Sequence, residues 1–131
     1  MQNMNGKSAL GLDANVAALL CYVPVCAINL IMSILVIVQD KTNKVARFHA
    51  FQSLFLMIAS IVISIPLYIL IFVGVFVDAA IGFPIVSLLV GLGALIFGLA
   101  ILFFLVMAAI KAFGGEMYKI PVIGNFAEKY S

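Results

Sequence analysis

Residues 79–110 read AAIGFPIVSLLVGLGALIFGLAILFFLVMAAI and contain no Asp, Glu, Lys or Arg. A helix needs about 20 apolar residues to cross a bilayer, so this stretch can cross once; two crossings and a turn would need about 40. Gly82-Phe83-Pro84 supplies a start signal, because proline is tolerated in a helix's first turn. Two further stretches, Val16–Val38 and Ala50–Val77, are equally free of charge. Inside lipid the backbone must satisfy its own hydrogen bonds, which chains this apolar achieve as helices. Barrel strands would alternate polar and apolar residues, and these stretches do not. The pattern predicts an all-α membrane protein with three transmembrane helices near 15–38, 45–75 and 84–112, the last two linked by Val77–Phe83.

Composition agrees with that pattern. The chain is 66% hydrophobic and 9% charged, with mean hydropathy +1.33, whereas soluble domains carry about a quarter charged residues. There is too little polar surface for a soluble fold, and no nucleic-acid partner is expected. Residues 1–131 read as one integral membrane domain, without repeats or a linker. Met1 to Asn15 has no apolar signal-peptide core, so the first apolar stretch is expected to remain in the mature protein. Asp13 is placed to cap that helix. Cys21 and Cys26, five positions apart on one helix, point about 140° apart and cannot pair there.

Lys41, Lys44 and Arg47 lie between the first two helices, and Lys111, Lys119 and Lys129 end or follow the third. The second connection carries Asp78 and no cation. The positive-inside rule then puts the first loop and the C-terminus in the cytoplasm and, with three crossings, the N-terminus outside. The expected location is the cytoplasmic (inner) membrane.

Each helix carries one polar or small stripe. In the first it is Asn15, Ala18, Tyr22, Cys26, Asn29 and Ser33; in the second, His49, Ser53, Ser60 and Ser64, with Gln52 at its margin. In the third, Ser87, Gly91, Ala94 and Gly98 repeat at four, three and four, a spacing that lets backbones approach closely in lipid. These stripes read as helix-packing faces, with Asn29 and Ser60 at one depth and expected to pair. The other reading is that the stripes line a water-accessible path. No charged residue sits in mid-membrane, which argues against a coupled pump.

The densest polar cluster runs from Asp40 to Ser53. Cations in a helix's first turn oppose its dipole, so Lys41, Lys44 and Arg47, with Lys111 and Lys119, are expected to meet anionic lipid headgroups or a partner. His49, Gln52 and Ser53 lie one turn further in, at spacings that suit a local hydrogen-bond network. As the chain's only histidine, His49 cannot build a haem or zinc site alone. No set of acid, base and nucleophile stands out, and no catalytic residue, metal or cofactor is expected. After the Gly114-Gly115 helix stop, residues 116–130 read as an interfacial amphipathic segment with Ile123, Phe126, Ala127 and Tyr130 on its apolar face.

Arg47-Phe48-His49-Ala50-Phe51-Gln52-Ser53 resembles the R-F-H-A-x-Q-S signature of a family of small, largely uncharacterised bacterial and archaeal membrane proteins. Tyr118-Lys119-Ile120-Pro121-Val122-Ile123-Gly124 is similar to that family's closing Y-x-I-P-x-I-G motif, and Gly11 to Tyr22 to its opening. The family is grouped with Tic-twenty-like proteins, named for a chloroplast inner-envelope subunit of protein import. The resemblance implies a non-enzymatic component or accessory subunit of a membrane assembly, linked to protein or solute translocation. The alternative is a small homo-oligomeric channel or carrier. Expected partners are the bilayer with its anionic lipids, and further copies of the chain or other membrane proteins.

Overall fold

The computed structural model describes residues 6–8 and 10–131, without the side chain of Cys26. The rest of the N-terminal segment expected outside the membrane, and the Cys26 member of the first stripe, lie outside the described residues. The elements are α1 (Ala14–Leu20), a single 3-10 turn (Val25–Ala27), α2 (Ile28–Gln39), α3 (Lys44–Ile81), α4 (Ile85–Phe113) and α5 (Ile123–Tyr130). They form two compact units: residues 1–57 with 104–131, and residues 58–103.

The helix expected over 15–38 is two short helices, and neither reaches the length of a bilayer crossing. Pro24 has no N–H to give Leu20, and its ring would crowd that carbonyl. Val23 N takes the Leu20 oxygen instead at 3.3 Å, and Tyr22 N takes Leu19 O at 2.9 Å, tightening the end of α1. Ala27 then adopts left-handed φ of 58° and redirects the chain into α2. Ala17 of α1 and Cys21 at its end meet Val36 of α2 in one buried cluster with Ala46 and Ala50 of α3. In a continuous helix Ala17 and Val36 would lie about 28 Å apart. The first apolar stretch is therefore a helical hairpin. Asp13 has an N-cap's extended backbone but makes no capping bond; Asn15 Oδ1 accepts Val16 N at 3.0 Å.

The entry to α3 is built from short polar side chains. Asp40 Oδ1 accepts Asn43 N at 3.1 Å, and Asn43 Oδ1 accepts Ala46 N at 3.2 Å. The helix passes its expected end near 75 and runs to Ile81, because Asp78 is no terminator: it reaches out of the last turn to cap α4. Its two oxygens accept Val86 N and Ser87 N, both at 2.8 Å. Gly82 turns the chain at φ 75°. A Cβ on Gly74 would lie 3.2 Å from Val86 Cγ1 and 3.3 Å from Ser87 N, so the two helices touch closely there. At Gly91 and Gly98, where close packing was expected, an added Cβ meets nothing within 4 Å.

Long α3 and α4 are apolar enough to cross a membrane. Their residues in the second unit point outward as large apolar side chains, with Phe72 65% and Leu88 67% exposed, a surface suited to hydrocarbon. Among the described residues two helices have the length to span, and the expected third is not confirmed. At the end of α4, Gly115 N bonds Ala112 O at 3.0 Å and Glu116 N bonds Lys111 O at 2.9 Å, with Gly115 at φ 75°. This paired glycine closure is the helix stop expected from Gly114-Gly115.

Candidate functional site

The first unit contains a buried polar network, and three of its members come from α3. His49 and Gln52 are fully buried and Ser53 nearly so. The sequence expectation had these side chains bonding one another. Each instead reaches a different segment of chain, because neighbours on one helix face point outward together.

His49 Nε2 lies 2.9 Å from Glu116 O, and its Nδ1 lies 2.9 Å from Tyr22 Oη. A backbone carbonyl only accepts, so Nε2 carries the proton and Nδ1 accepts from the Tyr22 hydroxyl. The Tyr22 oxygen in turn accepts from Gln52 Nε2 at 2.9 Å. The same nitrogen donates its second hydrogen to Tyr118 O at 2.9 Å, while Gln52 Oε1 accepts Ile120 N at 3.0 Å. Ser53 Oγ donates to Cys21 O, a carbonyl freed at the end of α1. The tyrosine and imidazole rings also meet edge to face, at 5.6 Å between centroids. The neutral imidazole is thus fixed in one tautomer, and Gln52 uses both its donors and its acceptor.

Gly124 completes the site by its size. A Cβ there would fall 2.7 Å from Lys119 Cα and 2.9 Å from Gln52 Oε1, so only glycine lets the tail lie against the glutamine. The sequence reading singled out His49, Gln52 and Ser53; it left Tyr22 in a packing stripe and gave no role to Gly124 or the Glu116, Tyr118 and Ile120 backbone. Tyr22 reaches this depth because the chain breaks at Pro24.

Around the network, Arg47 acts as a second clasp. Its Nη1 donates to Ile37 O at 3.0 Å and Asp40 O at 3.1 Å, and its Nε to Ser131 O at 3.3 Å. Three donors directed at backbone carbonyls leave it less free for headgroups than Lys41 and Lys44, which are exposed. Lys111 pairs with Glu116 at 2.9 Å and Lys119 with Glu128 at 2.7 Å, both on the surface.

The other expected site residues lie apart from this network. Asn29 sits at the start of α2, its backbone N–H donating to Val23 O at 2.9 Å, so the depth argument for pairing its side chain with Ser60 fails with the continuous helix. Ser60 and Ser64 line a cavity of about 350 Å³ with Ala94 and Gly98 in the second unit, and Ser64 Oγ bonds Ile61 O of its own helix at 2.8 Å. Ser87 receives its cap from Asp78. Among the described residues no three His, Cys, Asp or Glu side chains gather as a metal site would require.

Comparison with known proteins identifies the group to which this architecture belongs. Residues 13–127 match the magnetosome magnetite crystal formation protein family, and the chain belongs to it. It is also similar to two UPF0132 membrane proteins of Methanocaldococcus jannaschii. One is 37% identical over 126 residues, covering 96% of both chains. The other is 35% identical over 127 residues, covering 93% of this chain and 73% of the relative. No solved structure matches. Membrane-protein relatives and the two long apolar helices together make this a membrane protein.

Proposed function

We propose that this member of the magnetosome magnetite crystal formation family is a non-enzymatic subunit of an inner-membrane assembly. In this reading α3 and α4 anchor the chain, and the first unit is a platform at the cytoplasmic surface of the membrane, presented to partners. The observation that carries it is where the buried polar groups point. His49, Gln52, Ser53 and Arg47 all bond the chain's own backbone, tying α1, α2, α3 and the tail into one body. Such closed networks fix a unique arrangement.

The same unit supports an orientation. Asn15, at the start of α1, donates to Phe113 O at the end of α4 at 3.1 Å, while Ile37 O at the end of α2 meets Arg47 at the start of α3. The hairpin thus leaves by the side it enters. All seven Lys and Arg residues, Lys7 among them, belong to this unit, and Asp78 is the one charge in the other. The positive-inside rule then favours both termini in the cytoplasm, in place of the external N-terminus that a crossing first helix requires.

The family's name refers to magnetite crystal formation, so the assembly would be one that serves a crystal-forming membrane compartment. Purification in mild detergent with identification of bound proteins tests the reading. A stable complex with other membrane proteins supports it. A homo-oligomer that conducts in planar bilayers would replace it with the channel reading, to which the cavity beside Ser60 and Ser64 belongs. Co-purification with a translocation complex would favour the import role that the Tic-twenty-like resemblance implies.

A further inference from the structure

The last helix has two faces. Gly124 and Ala127 are buried against the protein. Val122, Phe126 and Tyr130, each four positions apart, are 69%, 54% and 54% exposed. A single exposed apolar residue needs no explanation, but a row of them along one helix face does. The first of them is held in an unusual conformation. Val122 has φ 68° and ψ −55°, in a γ-turn closed by Ile123 N to Pro121 O at 2.8 Å. Glycine would adopt this turn without strain, and a β-branched residue there is a marked exception. The chain accepts that strain with an exposed valine.

The depth of α5 says what the row faces. Gly124 sits against Gln52, and the Tyr130 ring lies 6.4 Å from Phe51 and 6.0 Å from Phe55. Those residues lie about 10 to 16 Å along α3 from its first residue at helical rise. The charge-free run of α3, Ala50–Val77, is about 42 Å long at helical rise, more than the roughly 30 Å of hydrocarbon core, and Phe51 and Phe55 lie at its basic end. A helix lying alongside Phe51 and Phe55 is therefore level with the membrane interface, not out in the cytosol. Lys129 stands beside Tyr130, its Nζ 5.8 Å from the ring centroid, and is not among the ion-paired lysines of the tail.

We propose that the outward face of α5 is a docking face for an anionic phospholipid leaflet. Val122 and Phe126 enter the upper acyl region, and Lys129 meets headgroup phosphate. The proposal rests on the two-span reading above.

The chain has no tryptophan, so Phe126→Trp introduces a single reporter. The full-length variant is reconstituted into phosphatidylcholine vesicles with and without phosphatidylglycerol. Expected are blue-shifted emission, strong quenching by lipids brominated high on the acyl chain, and little quenching by acrylamide. In a competition between brominated phosphatidylglycerol and phosphatidylcholine, adding Lys129→Gln should lower the anionic preference about fivefold, or about 1 kcal/mol for one surface cation. Quenching by acrylamide would overturn the proposal by placing the face in water. Quenching by neither agent would overturn it by showing a protein cover. An unchanged preference in the Lys129→Gln variant would overturn the anionic assignment. An error in orientation appears separately, as labelling of a Lys7→Cys probe from outside.

Discussion

Gln52→Leu removes three hydrogen bonds at once while nearly conserving volume. It leaves the Ile120 amide, in a residue 3% exposed, without an acceptor, and takes one donor each from Tyr118 O and Tyr22 Oη. An unsatisfied buried donor costs about 1–3 kcal/mol. The two weakened acceptors are worth about 0.6 kcal/mol each, the average for side-chain bonds in membrane proteins. The sum is about 2–4 kcal/mol. It falls on the junction between α3 and the tail rather than on the α3–α4 pair, so the tail should open while the spans stay folded. Hydrogen exchange in nanodiscs reads this directly. Protection of the Ile120 and Gly124 amides should fall about 30- to 800-fold, since each 1.4 kcal/mol is tenfold, with amides in residues 58–103 unaffected. Protection at Ile120 within threefold of wild type would show that Gln52 does not hold the tail. Equal loss throughout the chain would show that the network supports the whole fold.

Three further outcomes are expected. Gly124→Ala forces a Cβ to within 2.7 Å of Lys119 Cα, so the tail should shift and protease cleavage after Lys119 should accelerate at least tenfold; an unchanged rate counts against the close seat. On a background without Cys21 and Cys26, an impermeant maleimide added outside should modify Ala80→Cys and spare both Lys7→Cys and Lys41→Cys. External labelling at Lys7→Cys would restore a crossing first helix. Asp78→Asn leaves one carbonyl oxygen where two oxygens now cap Val86 and Ser87, and should lower thermal stability in detergent by about 1 kcal/mol; no shift would mean the cap is replaced by water.

Much of the architecture can be read from the sequence where one physical effect dominates. The α3 and α4 spans follow from charge-free length alone, and the end of α4 from Gly114-Gly115. The first stretch defeats the same reasoning because hydropathy measures compatibility with lipid, not direction of travel. A hairpin and a crossing helix bury the same Val, Leu and Ile residues. Proline does not decide it either: Pro66 lies inside continuous α3, while Pro24 coincides with a break. What differs is the company each keeps. Beside Pro24 the carbonyl of Cys21 finds the Ser53 hydroxyl, and such tertiary partners cannot be read from spacing within one helix. The candidate site was half legible for this reason. His49, Gln52 and Ser53 stand out as polar residues one turn inside a span, but their partners are mostly backbone atoms of the tail, which carry no sequence signal.

The break and the network require each other. In a continuous antiparallel hairpin, with position 38 level with 45, Tyr22 would stand near position 61 of α3, about 18 Å beyond His49 at helical rise. His49 Nδ1 and one Gln52 hydrogen would then lack their shared partner, and the Ser53 hydroxyl would lose Cys21 O. Turning back at Pro24 brings Tyr22 to the level of His49 and Gln52, and the glutamine then has its amide ready for Tyr118 and Ile120. The three segments that carried the family resemblance, ending at Tyr22, spanning Arg47–Ser53 and spanning Tyr118–Gly124, become one contact only in the folded-back arrangement. The polar side chains of the first two segments are therefore explained by one another and by the backbone of the third. No transported substrate or bound ion needs to be invoked for any of them, which is why the platform reading accounts for this site more fully than a conducting path does.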